Sequence, residues 1–337
     1  SLTAYVEWTN EVFNPSATPF HFASNVGIAR GFPDSGAEYK DEFALQHRIA
    51  MGIVTTEWSA SRSLSSLVRV MAWQTGSGGT PSNSLIILGQ HLTLDGSNNY
   101  TSSAATTNYS VAGACSSASI TSGRPIDCVD AFAYAPYYDG AQIRATDSSY
   151  NNTMTDAVTA ADNYASGNPV LMSTALDFVD CDVRGVTTAT YPNCGLRNGT
   201  LGPDTLASFP ATYSGYDTLA TTWGKVVIEY EGGLQIAAPS ASRLTTLGIT
   251  SSSLCGTAAC ISTEFANLIA AYKNDPRFKQ LAYDQFQQFM SYGNSRIPSW
   301  YELGPNSTQW DIFPGANFNV TPAYQSFNGV QRFTSGQ

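Results

Sequence analysis

The feature that most constrains the fold is an alternation along the chain. Short apolar, β-branched runs are separated by longer stretches with helical spacing. The strand-like runs are Thr3–Trp8, Leu67–Trp73, Cys128–Tyr134, Lys225–Tyr230 and Ile297–Tyr301. Between them Phe43, Leu45, Ile49, Ile53, Val54 and Trp58 recur at helical spacing, as do Phe265, Leu268, Ile269 and Tyr272. Two more helices are expected over 154–165 and 276–290, the second with Asp275 as N-cap before Pro276, and a last one near 322–333. Alternating strands and helices predict a parallel sheet covered by helices, because a parallel pair needs a crossover long enough to hold one. In such folds the loops leaving the C-terminal ends of the strands carry the chemistry. The segments 75–84, 95–127 and 182–204 are rich in Gly, Ser, Thr and Asn and read as loop insertions rather than linkers.

Composition narrows the partners. Hydrophobic residues make up 42% of the 337, enough for a packed core, while charged residues are only 12%. Net charge is −10 with four Lys, which disfavours nucleic acid as a partner because phosphate tracking needs clustered cations. Ser, Thr and 18 Tyr dominate the polar surface instead, as suits an extracellular or glycan-facing protein. No apolar run approaches the ~18 residues of a membrane span, so none is expected.

Six cysteines fall in three local pairs, Cys115 with Cys128, Cys181 with Cys194 and Cys255 with Cys260. Short intervening loops favour sequential pairing, so three disulfides and an oxidising, secreted location are expected. The three histidines show no metal-ligand spacing, and no metal or organic cofactor is expected. Asn99, Asn108, Asn151, Asn198, Asn306 and Asn319 each open an Asn-x-Ser/Thr glycosylation sequon, a number close to chance. Gly76-Ser77-Gly78-Gly79 lacks the Lys-Ser/Thr of a phosphate loop and reads as a plain loop, and no G-x-S-x-G nucleophile elbow is present.

Two strand ends carry carboxyls. The first run reads Val6-Glu7-Trp8-Thr9-Asn10-Glu11-Val12-Phe13-Asn14, and the fourth ends Glu229-Tyr230-Glu231-Gly232-Gly233. Glycoside hydrolysis needs two carboxyl groups flanking one bond, and glutamates ending two strands of one barrel supply that pair. These motifs, with Ala133-Tyr134-Ala135-Pro136-Tyr137-Tyr138 between them, resemble a family of secreted (β/α)8-barrel glycoside hydrolases of the retaining type. The resemblance implies that the chain is the C-terminal part of one TIM barrel, strands four to eight over 1–337. Strands one to three would come from an N-terminal segment of a longer precursor or from another chain.

On that resemblance Glu11 is the acid/base, Glu231 the nucleophile and Asn10 a contact to the sugar 2-hydroxyl. Tyr134 or Tyr137 would hydrogen-bond the nucleophile, Trp300 would underlie the sugar ring and Gln74 would be a weaker sugar contact. Glu7 and Glu229 have a plainer reading as structural carboxylates paired with an Arg. The rival functions are a structural or adhesive extracellular glycoprotein on the same barrel, and a non-catalytic glycan-binding protein.

Overall fold

A computed structural model describes residues 3–9, 17–31, 38–74, 114–116, 125–138, 154–186, 205–229, 232–234 and 238–298, with isolated positions such as 12, 15 and 236. Five strands form one sheet in the order β1 (Ala4–Glu7), β2 (Leu67–Gln74), β3 (Ala131–Ala135), β5 (Val226–Glu229) and β7 (Ser295–Ile297). A second ladder pairs β4 (Tyr137–Tyr138) with β6 (Gly233–Leu234). The expected parallel pairing of the first two strands is present, Ala4 lying opposite Leu67 and Glu7 opposite Val70. The β2–β3 and β3–β5 pairs are parallel too. Among the described residues the sheet is an open row in chain order and is not closed into a barrel.

Two strand boundaries differ from the sequence reading. Cys128 belongs to a 3-10 turn, Pro125–Cys128, and the third strand starts only at Ala131. Asp130, just before it, is held by Arg69 in a two-pronged ion pair, Nε to Oδ2 and Nη2 to Oδ1, both at 2.7 Å. The last strand begins at Ser295, earlier than expected, and 299–301 lie outside the described residues.

The chain forms two compact units. The first comprises Ser1–Ala135, Thr212–Tyr230 and Tyr292–Arg296, and holds the five-stranded sheet. In it α1 (Thr18–Arg30) packs on α2 (Glu38–Ser59) so closely that a Cβ on Gly27 would lie 2.5 Å from the Glu38 carbonyl oxygen. Gly31, at φ 73°, ends α1 in the left-handed conformation that glycine adopts freely. All five residues of β3 are buried, so both faces of the sheet are covered there. One face carries Val70, Ala72, Ala131, Ala133 and Ile228. Since strand side chains alternate, Phe132, Tyr134, Val227 and Glu229 occupy the other.

The second unit comprises Pro136–Ala211, Glu231–Ser291 and Ile297–Gln337. Its helices are α3 (Met154–Ala165), α4 (Pro169–Arg184), α6 (Ala241–Thr246), α7 (Ala258–Lys273) and α8 (Pro276–Met290). Helix α5 (Phe209–Trp223) starts in this unit and from Thr212 belongs to the first. The starts of four helices are locally encoded. Asn168, Ser240, Thr257 and Asp275 each accept a hydrogen bond from a backbone N–H two or three residues on, satisfying a donor the helix cannot.

Helices α4, α7 and α8 meet around one buried charge group. Arg184 donates to Asp180 at 2.9 Å and to Asp284 at 2.5 Å, and the Tyr272 hydroxyl donates to Asp180 at 2.8 Å. Burial pushes the Asp180 carboxyl up, against the opposing pull of Arg184 and Tyr272.

Disulfides join Cys115 to Cys128 and Cys255 to Cys260. Cys181 is disulfide-bonded as well, while its expected partner Cys194 lies outside the described residues. Among the described residues no helix is long and apolar enough to cross a membrane.

Candidate functional site

The chemistry expected at the strand ends depends on how the chain leaves β3 and β5. Tyr134, near the end of β3, lies opposite Glu229, the last residue of β5. Helix α5 covers that face with tyrosines. The Tyr134 ring stacks on Tyr216 at 4.6 Å and 22° between planes, and tilts against Tyr213 at 5.5 Å. Tyr213 donates its hydroxyl to Glu229 Oε1 at 3.3 Å, and its other side meets the Tyr292 ring edge-on. Tyr134 is 0% exposed and Glu229 2%. Burial first, then the neighbouring Tyr213 and Glu229, push the Tyr134 phenol well above its ordinary value, so it stays neutral. The Tyr216 phenol is raised by burial alone.

This enclosure gives Tyr134 the surroundings of a core tyrosine. Glu229 accepts a hydrogen bond from the Tyr213 hydroxyl on this buried face. The sequence reading missed Tyr213 and Tyr216. Their spacing of three, with Phe209 and Ala220 on the same buried stripe, is the signal that could have revealed them.

Past Tyr134 and Glu229 the two strands continue into the β4–β6 ladder. Partners in the β3–β5 ladder are 95 positions apart, and in the β4–β6 ladder 96, so the route from β5 to β6 contains one residue more than that from β3 to β4. Gly233 donates its N–H to the Pro136 carbonyl at 3.0 Å. A Cβ on Gly232 would stand 2.9 Å from Pro136 Cγ, Cδ and O. Gly233 has φ 118°, which side chains rarely adopt. The Gly-Gly pair after Glu231 is thus required by the close approach of Pro136. Tyr137, in the same ladder, is half-buried.

The remaining expected site residues are not brought into view. Asn10, Glu11, Glu231 and Trp300 lie outside the described residues, as do the six sequon asparagines and the helix expected near 322–333. Gln74 ends β2, its side chain likewise outside.

The opposite end of the sheet offers little room. A cleft of about 60 Å³ is lined by Leu64, Leu67, Arg69 and Asp130, space for a water or two. Burial opposes ionisation of Asp130, but Arg69 outweighs it and holds the carboxyl below its usual range. Nearby His47 donates its Nε2–H to the Cys128 carbonyl at 3.0 Å, and burial lowers its pKa to about 4. These groups fasten α2 to the strand starts. One cluster of potential metal-binding atoms occurs among the described residues, Cys255, Cys260 and Glu264, but its two sulfurs are joined to each other. Compared with family models, with curated proteins and with solved structures, the chain matches none.

Proposed function

We propose that the protein is a secreted retaining glycoside hydrolase with Glu11 as acid/base and Glu231 as nucleophile. The observation that carries the reading is the extra residue between β5 and β6. Register pairs put Glu7 level with Val70, Ala131 and Val226. Strict alternation from Val226 would give Glu231 the helix-covered face of Glu229 and put it five residues past that level, against four for Glu11. An inserted residue re-aims the side chains beyond it. A retaining site requires both glutamates to end at one height on one face, and an inserted residue before Glu231 would meet that requirement.

Distance sets a second requirement. β1 and β5 are three strand spacings apart, which in a flat sheet is about 14 Å, whereas retention needs about 5–5.5 Å between carboxyls. The reading therefore includes a (β/α)8 barrel in which this sheet supplies strands four to eight. Polypeptide outside these residues would cover the free edge of β1, where Tyr5 is 48% exposed.

In the first step Glu11 protonates the leaving oxygen while the Glu231 carboxylate attacks the anomeric carbon. In the second, water deprotonated by Glu11 releases the sugar. The mechanism needs Glu11 protonated at the start, and like-charge repulsion from Glu231 would favour that until the covalent intermediate forms. Asn10 would hold the 2-hydroxyl, Trp300 the ring face and Tyr137 the nucleophile. Tyr134, enclosed by α5, would support β3 from behind.

Turnover of a panel of aryl glycosides and oligosaccharides tests this. Glu231→Gln should abolish turnover with unchanged circular dichroism, and Glu11→Gln should spare substrates with good leaving groups. Failure of the wild-type protein on the whole panel would leave a structural glycoprotein or a glycan-binding protein.

A further inference from the structure

The Cys255–Cys260 region combines features that a simple staple does not need. Cys255 is buried, 1% exposed, while Cys260 is exposed in the first turn of α7. Glu264, one turn further along α7, brings a carboxyl oxygen within 4.8 Å of both sulfurs. Its Oε2 is buried and makes no hydrogen bond. Beside it stands the Asp162 carboxyl of α3, 7% exposed. Asp162 accepts from Ser252 Oγ at 2.6 Å, Ser253 N at 2.9 Å and Ser253 Oγ at 2.6 Å.

Two adjacent carboxyls repel each other when both are ionised, which favours a proton on one of them. The three Ser252 and Ser253 donors keep the charge on Asp162, so Glu264 holds the proton. Asp162 is lowered by these donors although burial opposes it, and Glu264 is raised to about 7 by burial and by Asp162. Among the described residues Asp162 is the titratable group that acts on Glu264.

We propose that Cys255–Cys260 is a thiol-exchange site, in which a small thiol attacks the exposed Cys260 sulfur and Glu264 protonates the departing Cys255. The thiolate of the incoming molecule forms a mixed disulfide with Cys260, and the Cys255–Cys260 bond breaks with its electron pair on Cys255. That sulfur takes the Glu264 proton, and Glu264 becomes a carboxylate. Attack on Cys255 is blocked by burial. Cys115–Cys128 offers no comparable opening, since its sulfurs belong to residues 8% and 1% exposed. The inference is independent of the glycosidase reading.

The test is exposure of the full chain to reduced glutathione, followed by alkylation and peptide mass spectrometry over a pH series. Glutathione should appear on Cys260, with Cys115–Cys128 intact. The rate per glutathione thiolate should fall above about pH 7, where Glu264 loses its proton. Glu264→Gln keeps a donor to Asp162 but has no proton to transfer. It should be slower by about 10-fold below pH 7, less than positioned proton transfer usually contributes because a thiolate already leaves fairly well, and its pH dependence should vanish. Glutathione on Cys255, equal opening of both disulfides, or an unchanged pH profile in Glu264→Gln would each overturn the proposal.

Discussion

Arg184→Met isolates the value of the charge group at the meeting of α4, α7 and α8. Methionine keeps most of the apolar stem of Arg184, itself 5% exposed, and removes both ion pairs. Asp284 is 30% exposed at its side chain and regains solvent, so its loss is small. Asp180 is not so placed. It is 6% exposed, and after the change it keeps the Tyr272 hydroxyl but no adjacent cation at its Oδ2. Breaking a buried pair in this way costs about 3–5 kcal/mol. At roughly 2–4 °C per kcal/mol for a unit of this size class, the melting temperature should fall by about 6–20 °C. The deficit should depend on pH with a definite sign. In the variant the folded-state pKa of Asp180 rises further above its unfolded value, so the native state binds more protons and loses stability as pH increases through that range. Urea unfolding followed by circular dichroism should therefore show a gap to wild type that narrows between about pH 7 and pH 4.5. Adding Asp180→Asn should recover part of the loss at pH 7. A gap under about 1 kcal/mol, or one that does not narrow in acid, would refute the reasoning.

Other changes have equally definite outcomes. Gly232→Ala forces a Cβ to 2.9 Å from Pro136 and should destabilise by about 1–3 kcal/mol, measured by thermal unfolding. His47 is neutral down to about pH 4 in the folded protein because burial disfavours its charge, whereas the unfolded side chain protonates near 6.5. The unfolded state thus binds more protons between those values, and stability on the order of 3 kcal/mol should be lost as pH falls from about 6.5 to 4. His47→Gln should flatten that stretch of the curve. Replacing Cys115 and Cys128 by Ala opens a loop of 13 residues and should cost about 3 kcal/mol, read by urea unfolding without reductant.

The strands were legible because each is a short apolar, β-branched run, and in β3, which has a strand on either side, every residue is buried. Helices α2, α3, α7 and α8 were legible for the opposite reason, an apolar stripe repeated at helical spacing. Three longer helices escaped. In α4 the buried face includes Asp180, Asp182 and Arg184, so charges occupy positions where a sequence reading expects apolar residues. In α5 that face is built on Tyr213 and Tyr216, and tyrosine reads as surface as readily as core. In α1 only Ala23 and Gly27 are fully buried, and the contact rests on the small size of Gly27 rather than on a hydrophobic stripe. At the candidate site, the Glu-Gly-Gly motif was visible but the extra residue beside it was not. It exists only in the comparison of two ladders, and pairing register is not written in either strand alone.

The strand registers also set an order of assembly. The pairs Ala4 with Leu67, Val70 with Ala131 and Ala131 with Val226 join positions 63, 61 and 95 apart, whereas the side-chain caps at Asn168, Ser240, Thr257 and Asp275 are satisfied within three residues. Contacts between distant positions form slowly, because the entropy of closing the intervening loop is spent before any contact repays it. The interval between β3 and β5 contains α3 and α4, whose early formation shortens the flexible path the sheet must close. The helical signal in refolding should accordingly return ahead of the near-ultraviolet signal of the Tyr134–Tyr216 stack, which requires β3 and α5 to be in place. The strand ends that would carry catalysis are then the last part of the protein to take shape.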